Sequence, residues 1–335
     1  MNSLTRRAAL ARAIAATTPA WAAKGAMAQA QRAAEDEAYP TRPVKIVVPF
    51  PPAGSTDIIA RHVAERLGRL TGQGFVVDNK SGASANIGAT FVARSAADGY
   101  TLLLGTSSTQ AVNAHLFKDP GYDGIKDFAP VSLVVKVPTL IVASPDLPVR
   151  NLTELIAYTR NTPLPYGHPS TGSSKHFAAE VFRLKSGARL TPVAYKGSAP
   201  MLNDLLGGHI KIAFDEPLTS LQHIRAGRMV PLAITGPQRW PSLPNVPRVS
   251  ELGGALSDYE ITGWFGILAP AATPTRIVRR LNQFIVRALS DKEFRDLLYT
   301  QGAEPVGSTV EDYTDFIAKE YQRYGEVIKA TGMTI

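Results

Sequence analysis

A chain of 335 residues with 44% hydrophobic and 19% charged side chains can build about two globular domains. It has no cysteine, which excludes disulfides, thiolate metal sites and thiol catalysis, and no apolar run reaches the roughly 18 to 20 residues that cross a bilayer. Residues 1–30 hold four basic residues and no acid, so without them the formal net charge falls from +8 to +4. The remaining charges are mixed in sign, which argues against nucleic-acid binding.

The first 30 residues have the features of an export signal. Arg6 and Arg7 precede an Ala-rich apolar stretch, and small residues at positions 26, 28 and 30 offer two A-x-A cleavage patterns. Residues 5–10 also resemble a twin-arginine signal, so the Sec and twin-arginine routes both stay open. We therefore predict export, with a disordered Ala-rich arm as the alternative.

Residues 44–70 predict a strand, a turn and a helix, and they organise the rest of the chain. Residues 44–48 are almost all β-branched and apolar, and the Pro- and Gly-rich residues 49–54 cannot continue the strand. Ser55 then begins an amphipathic helix. Such a turn points free backbone N–H groups at one spot where the helix dipole favours a carboxylate or phosphate. It lacks the Lys of a P-loop and the spaced glycines of a dinucleotide site, so nucleotide binding is only weakly indicated.

Strands and helices continue to alternate through the first half of the chain. The predicted elements are a strand at 74–77, a small-residue loop at 78–88, a short helix at 89–93 and a strand at 100–104 that ends in the polar loop 105–108. Three strand ends therefore bring small polar loops to one edge of a parallel sheet, which is where such sheets bind ligands. The apolar run at 128–143 is broken at Lys136 and Pro138 and could cross between domains.

The second half repeats this alternation and then ends in helices. We predict helices at 152–159, from about 174 with Phe177, Val181 and Leu184 on one face, at 199–206 and at 218–226, and strands at 164–166, up to Tyr195, at 210–216 and at 229–235. Residues 237–247 are rich in proline and predict a surface excursion, and residues 259–268 predict a second crossing strand. Three helices, at 275–288, 292–299 and 310–330, follow with no strand among them and are expected to cover the first domain.

This order predicts an α/β protein of two lobes joined by two crossings, near residues 136–142 and 257–265. The first lobe is discontinuous, with residues 40–137 plus 264–335, and the second lobe spans residues 138–263. Because strands alternate with helices, we expect right-handed parallel crossovers.

A second group of candidate ligand contacts lies in the predicted second lobe. Residues 170–174 place hydroxyls and a glycine before a helix, as residues 50–57 do in the first lobe, and His176 lies in the first turn of that helix. Lys196 and Asp215 each close a strand on the same edge, where they could neutralise an acid and accept a hydrogen bond. Helix capping, a core histidine and a solvated lysine remain the alternatives.

Signatures of catalysis and of metal binding are weak. Asp215 and Glu216 are adjacent on a strand and point to opposite faces, which argues against joint acid–base action. There is no G-x-S-x-G motif, and the six histidines form no H-E-x-x-H motif or close pair. We expect no cofactor and no metal.

Four segments resemble one known family. These are VKIVVPFPPAGSTDIIAR, NKSGASANIGA, YGHPSTGSSKHFAAEVF and VAYKGSAPMLNDLLGGHIKIAFD, which begin at residues 44, 79, 166 and 193. The sequence is similar to the Bug family, the TctC-like extracytoplasmic solute receptors of tripartite tricarboxylate transporters, over roughly residues 40–330. The last segment is the most specific part of the resemblance.

The resemblance implies a two-lobed periplasmic binding protein of the type II-like class with parallel-rich sheets. It also implies a monomer that grips a small organic carboxylate between its lobes, partly through ordered water, and delivers it to membrane transporter subunits. Carried onto this sequence, the ligand contacts would be Phe50, Ala53, Ser55, Thr56, Asp57, Thr106, Ser107, Ser170, Thr171, Ser173, His176, Lys196 and Asp215.

The sequence departs from the family pattern at several loop positions. Ala53 replaces a usual glycine, residues 83–85 replace a glycine-rich run, and residues 168–169 and Glu216 are unusual. An added Cβ atom disfavours positive φ and close backbone approach, so these positions bear on ligand size and orientation. The alternatives are an exported hydrolase or isomerase that uses Asp215 or His176 as base, and a sensor that presents its ligand to a signalling partner.

Overall fold

The computed structural model describes residues 39–334, so the predicted export signal at residues 1–30 lies outside the described residues. Residues 39–41 lie outside the unit that begins at Arg42, and the Tyr39–Pro40 peptide bond is cis. The unit that begins at Arg42 contains two β-sheets. Within residues 39–334, no helix has the length and apolar character needed to span a membrane.

Helices and strands alternate from Val44 onward. The strands are β1 (Val44–Val48), β2 (Phe75–Asn79), β3 (Thr101–Thr106), β4 (Phe128–Pro138), β5 (Leu140–Ala143), β6 (Leu164–His168), β7 (Leu190–Ala194), β8 (Ile212–Asp215), β9 (Val230–Ile234), β10 (Thr262–Pro270) and β11 (Glu304–Pro305). The α-helices are α1 (Ser55–Thr71), α2 (Asn86–Ala93), α3 (Asn113–Leu116), α4 (Leu152–Asn161), α5 (Ser174–Ser186), α6 (Ser198–Leu206), α7 (Pro217–Arg225), α8 (Thr275–Ser290), α9 (Lys292–Thr300) and α10 (Val310–Thr331). A π-helical turn, Ser108–Val112, precedes α3.

The two sheets confirm the predicted α/β architecture, and we call the parts built on them the first and second lobes. The first sheet has the strand order β11-β4-β10-β3-β1-β2, and the second has the order β7-β6-β8-β5-β9. Strand β1 pairs in parallel with β2 and β3, and β6 pairs in parallel with β7 and β8. Parallel pairs bring the carboxyl ends of these strands to one edge of each sheet.

The parallel pairing that the alternation of strands and helices predicts does not extend to the crossing strands. Strand β10 pairs antiparallel with β3 and β4, and β5 pairs antiparallel with β8 and β9. The reason is that β4 carries the chain out of the first sheet and β10 returns it beside β4, so the two must run in opposite directions. The expectation of no strand among the last helices is wrong, because β11 pairs with β4.

Helix α1 forms and ends as its sequence predicts. Ile59, Val63 and Leu67 are buried at spacings of four residues, so one face of the helix packs on the sheet. Gly72 then ends the helix with a φ of 72° and donates its N–H to the carbonyl oxygen of Gly68. The opposite end of the helix begins directly after the loop that follows β1.

The two crossings between the lobes meet at Thr235. The N–H of Thr139, between β4 and β5, donates to Oγ1 of Thr235 (2.9 Å), and the N–H of Thr235 donates back to the Thr139 carbonyl (2.9 Å). Oγ1 of Thr235 donates to the carbonyl of Ile261, just before β10, at 2.5 Å, and the N–H of Ile261 donates to the Thr235 carbonyl at 3.1 Å. One threonine therefore holds both crossing segments.

The last helix does not cover the first lobe alone. Tyr313 of α10 packs edge-on against Trp264 of the first sheet, with ring centroids 5.9 Å apart. Further along α10, Tyr324 packs on Phe177 of α5, with centroids 4.3 Å apart, and shares the apolar core of the second lobe. Because α10 has 22 residues, it is long enough to reach both lobes.

Two surface predictions also need correction. Leu184 is 54% exposed although Phe177 and Val181 are buried, because the last turns of α5 extend beyond the core. The proline-rich residues 237–247 are not a simple surface excursion. Trp240 is 3% exposed, and its indole N–H donates to the carbonyl of Tyr299 at 3.0 Å, so this segment packs on α9.

Candidate functional site

The loops that follow strands of both lobes line one cavity, which we call the inner cavity. The first lobe contributes Phe50, Pro51, Pro52, Gly54, Ser55, Thr56, Thr106, Ser107, Ser108 and Phe265, and the second contributes Pro169, Ser170, Ser173, Ser174, Lys175, Lys196, Gly197, Ser198, Ala199 and Pro200. Eight of the thirteen predicted contact residues lie in this lining: Phe50, Ser55, Thr56, Thr106, Ser107, Ser170, Ser173 and Lys196.

The first wall of the inner cavity is the N-terminus of α1. Gly54 is the N-cap with extended backbone (φ −85°, ψ 170°), and Ser55 and Thr56 are buried in the first turn. The first N–H groups of a helix have no acceptor within the helix and carry its positive dipole end. This wall therefore favours an anion.

Asp57 and Ala53 shape that wall from behind rather than line the cavity. Oδ2 of Asp57 accepts hydrogen bonds from the N–H of Ala53 (3.0 Å) and from Nε of Arg61 (2.9 Å). Burial raises the pKa of Asp57, but the Arg61 guanidinium and the Ala53 N–H outweigh it and hold the pKa below its ordinary value. The bond from Ala53 fixes the turn before α1, and the bond from Arg61 holds Asp57 in place within the helix.

Alanine and serine occupy left-handed backbone positions in the loops where the sequence departs from the family pattern. Ala53 has a φ of 62°, and Ala83, Ser84 and Ala85 have φ values of 46°, 53° and 79°. Left-handed backbone costs an L-residue roughly 1–2 kcal/mol, so the surrounding structure must hold these residues in place. One such contact is the hydrogen bond from Nδ2 of Asn113 to the carbonyl of Ser84, 2.8 Å long.

The end of β3 adds a row of buried hydroxyls to the inner cavity. The N–H of Thr106 donates to Oγ1 of Thr109 at 2.9 Å, which turns the chain from the strand into the π-helical turn. Ser107 and Ser108 then face the second lobe, and Oγ of Ser108 donates to the carbonyl of Gly172 at 3.1 Å. This bond joins the two lobes next to the cavity.

The second wall is the N-terminus of α5. Ser173 is the N-cap, and its Oγ accepts from the N–H of His176 at 3.2 Å. Ser174 and Lys175 follow in the first turn and line the inner cavity with Ser170. Hydroxyls, a lysine and a helix N-terminus thus face the corresponding end of α1.

His176 lies behind this wall and outside the cavity lining. It is 5% exposed, its ring stacks on that of His168 with centroids 4.1 Å apart, and its Nδ1 accepts from the N–H of Gly172 at 3.2 Å. Burial lowers the pKa of both histidines, and the second ring reinforces this for His168, whose pKa falls to about 3. The pair supports the loop at residues 170–173.

Asp215 also acts from behind the lining. It is fully buried, and Oδ1 accepts from Oγ of Ser198 (2.8 Å) while Oδ2 accepts from Oγ1 of Thr219 (2.5 Å) and Oγ of Ser220 (2.7 Å). Of these donors, Ser198 lines the inner cavity at the N-terminus of α6. Any influence of Asp215 on a ligand would therefore pass through Ser198.

Lys196 and Thr171 belong to the outer part of the cleft. Lys196 is exposed, and it lines both the inner cavity and a neighbouring outer cavity. The outer cavity contains Thr171 and residues 81–85, which include the left-handed residues described above. The inner and outer cavities share Phe50, Pro51, Pro169, Ser170, Lys196 and Gly197.

Lys175 and Glu216 are the charged residues that sequence reasoning did not assign to the site. Nζ of Lys175 lies 2.5 Å from Oε1 of Glu216, and the Lys175 and Glu216 side chains are 9% and 0% exposed. Burial raises the pKa of the Glu216 carboxyl, and the Lys175 charge opposes this. Two features of the sequence could have indicated this pair. Lys175 directly follows the polar loop at residues 170–174, and Glu216 is an acid that departs from the family pattern.

Comparison with known proteins identifies the family. Residues 59–333 match the family model described as "TctC: Tripartite tricarboxylate transporter family receptor". The chain belongs to the TctC family. Its relatives include Protein BugT of Bordetella pertussis, which is 40% identical over 299 residues that cover 88% of this chain and 91% of BugT.

Several solved structures have the same architecture. The R. palustris protein Rpa4515, solved with adipate, has a TM-score of 0.85 and 40% identity over 88% of this chain and 99% of the other. The periplasmic binding protein BugD has a TM-score of 0.83 and 33% identity over 88% and 99% of the two chains. MatC from Rhodopseudomonas palustris, with bound malate, has a TM-score of 0.80 and 30% identity over 87% and 99%.

Proposed function

We propose that this TctC-family protein is an exported, periplasmic receptor that binds a small organic carboxylate in the inner cavity and delivers it to a membrane transporter of the tripartite tricarboxylate type. The observation that carries the proposal is the convergence of three helix N-termini, those of α1, α5 and α6, on one cavity lined by hydroxyls. Such donors replace the hydration of an anion without requiring a net positive charge. The adipate and malate in the structures of two relatives are small organic carboxylates of this kind.

A role in binding rather than catalysis fits the state of the candidate bases. Asp215 accepts hydrogen bonds from three protein hydroxyls, and Nδ1 of His176 accepts from the Gly172 N–H. A general base must reach the proton that it removes, and both groups lie behind the cavity lining. We therefore propose that the ligand leaves the protein unchanged.

We also propose that the protein closes around its ligand by relative movement of the lobes. Residues 40–137 with 264–335 would form one moving part and residues 138–263 the other. Two contacts across the cleft support this proposal. Ser108 donates a hydrogen bond to Gly172, and Pro51 lies close to Gly197. A ligand that contacts both walls stabilises the closed arrangement by its differential affinity for it.

The test is a binding screen with recovery of the ligand. Adipate, malate, other mono- and dicarboxylates and the amide adipamide are screened by thermal shift, followed by calorimetry of each hit. We expect one acid per protein molecule, no response to the amide, and recovery of the acid unchanged. Ser170→Ala should weaken binding, whereas Ser290→Ala, whose hydroxyl donates to the Val286 carbonyl of its own helix, should not. Conversion of the acid, or no binding by any acid, contradicts the proposal.

A further inference from the structure

A buried ion pair lies beside the inner cavity, and stability does not explain it well. Removing two charges from water is costly, and their mutual attraction often only offsets this cost. The pair of Lys175 and Glu216 is also incompletely satisfied, because Oε2 of Glu216 is buried and has no hydrogen-bond partner among the residues that the structure describes. A pair that stabilises the fold so inefficiently points to another role.

The position of Lys175 indicates what that role is. Lys175 lines the inner cavity, in the first turn of α5, whose N-terminus already favours an anion. Its ammonium has three N–H donors. Among residues 39–334, Glu216 is the one hydrogen-bond acceptor that the ammonium contacts. Donors therefore remain for a molecule in the cavity.

Glu216 is placed to hold this ammonium rather than to meet a ligand. It is fully buried at the N-cap of α7, directly after β8, so its carboxylate is fixed by the second sheet. Burial raises the pKa of the Glu216 carboxyl, and the Lys175 ammonium opposes this. Glu216 thus lies outside the cavity lining and contacts Lys175, which is part of that lining.

We infer that Lys175 is a ligand-contacting cation of this receptor and that Glu216 is its positioning residue. The inference rests on the proposed function. A bound carboxylate becomes the second counter-ion of the Lys175 ammonium, which it shares with Glu216, while hydroxyls of the cavity and the N-terminus of α5 supply the other donors. The site therefore selects a ligand whose anionic carboxylate contacts Lys175, and it rejects the amide that has the same shape.

Calorimetry with adipate and malate as separate probes tests this. Lys175→Met keeps most of the apolar stem and removes the charge, and we expect it to weaken binding of the acid at least tenfold. The matched control is Lys185→Met on the same helix, because Lys185 pairs with Asp258 at the surface. That control should bind as the wild type does. Equal affinity of K175M and wild type would overturn the inference.

The inverted pair separates ligand binding from stability. K175E alone puts two acids together and should lower the Tm, and the double variant K175E/E216K should restore the Tm because the ion pair reforms with opposite polarity. The double variant should still fail to bind adipate or malate. Restored binding would show that the pair is only structural and would overturn the inference.

The conservative variant E216Q tests the positioning role. The glutamine still accepts a hydrogen bond from Lys175 and no longer competes with the ligand as an anion, so binding at least as tight as wild type is expected. Binding more than fivefold weaker would overturn the role given to Glu216. A wild-type protein that binds neither acid would contradict the proposed function itself, which is a different outcome from unchanged binding by K175M.

Discussion

Ser108 and Gly172 join the two lobes through a hydrogen bond of 3.1 Å from the serine Oγ to the glycine carbonyl. Gly172 has a φ of 74°, and a Cβ atom there would lie within 3.3 to 3.4 Å of Asn113, Leu116 and Val112. The loop of the second lobe therefore packs directly on the turn that follows β3. In this arrangement both lobes contribute residues to the wall of the inner cavity.

Loss of the Ser108 hydroxyl should weaken ligand binding. Ser108→Ala removes a bond between the lobes that is worth about 0.5–1.5 kcal/mol, so the affinity for an acid such as adipate should fall by roughly twofold to tenfold. Stopped-flow measurement should place the change mainly in a faster dissociation rate, because the bond holds the lobes together around the bound ligand. Unchanged dissociation in S108A, with S290A as the control, would contradict this.

Replacing Ala53 with glycine should stabilise the protein. Ala53 is exposed with a φ of 62°, and relief of left-handed strain of about 1–2 kcal/mol exceeds the roughly 0.5–1 kcal/mol of added unfolded-chain entropy. Urea unfolding should show a gain of up to about 1 kcal/mol in the free energy of unfolding. The control is Ala318→Gly, an exposed position in α10, which should lose about 1 kcal/mol. Equal losses in both variants would contradict the argument.

Acid should destabilise the protein through His168. Its pKa falls from the ordinary 6.5 to about 3 because of burial and the neighbouring His176. The unfolded chain therefore binds a proton below about pH 6.5 that the folded protein does not bind until about pH 3, so the stability present above pH 6.5 is lost as the pH falls through this range.

His168→Phe should flatten this dependence, because phenylalanine keeps the ring contacts with Tyr166 and His176 and cannot be protonated. The measurement is the free energy of unfolding in urea between about pH 7.5 and 4. His209→Gln, at an exposed position, is the control and should follow the wild type. A wild-type curve no steeper than that of H168F would contradict the prediction.

Asp215→Asn should cost stability before it affects binding. The carboxylate accepts from Ser198, Thr219 and Ser220, and an amide cannot accept on its nitrogen, so about 1–3 kcal/mol of unfolding free energy should be lost. Asp204→Asn, which alters one hydrogen bond from Tyr195, should cost less. A D215N protein of unchanged stability that fails to bind acids would instead make Asp215 a direct ligand contact.

Strong local signals made much of the fold predictable from sequence. The apolar strand β1, the glycine and proline turn and the amphipathic α1 follow one another as the pattern predicts. Strand β11 has two residues, too few for any periodicity, and its pairing with β4 depends on tertiary structure. The exposed position of Leu184 likewise depends on where the core ends, which spacing along a helix does not reveal.

The candidate site divides in the same way. Hydroxyls and glycines before helices were visible as loop composition, and Ser55, Thr56, Ser170 and Ser173 line the cavity. Lys175 and Glu216 are separated by 41 residues in sequence, and their contact depends on how β8 packs against α5. No local sequence pattern could reveal it. For the same reason, sequence did not distinguish the residues that line the cavity from Asp57, His176 and Asp215, which support it from behind.

Thr235 bears on the lobe closure that we propose. Its side chain and backbone tie the two crossings together through Thr139 and Ile261. In that closure the two crossings would have to bend together, because these hydrogen bonds join them at one residue, and this favours rotation about an axis near Thr235 over sliding of one lobe past the other.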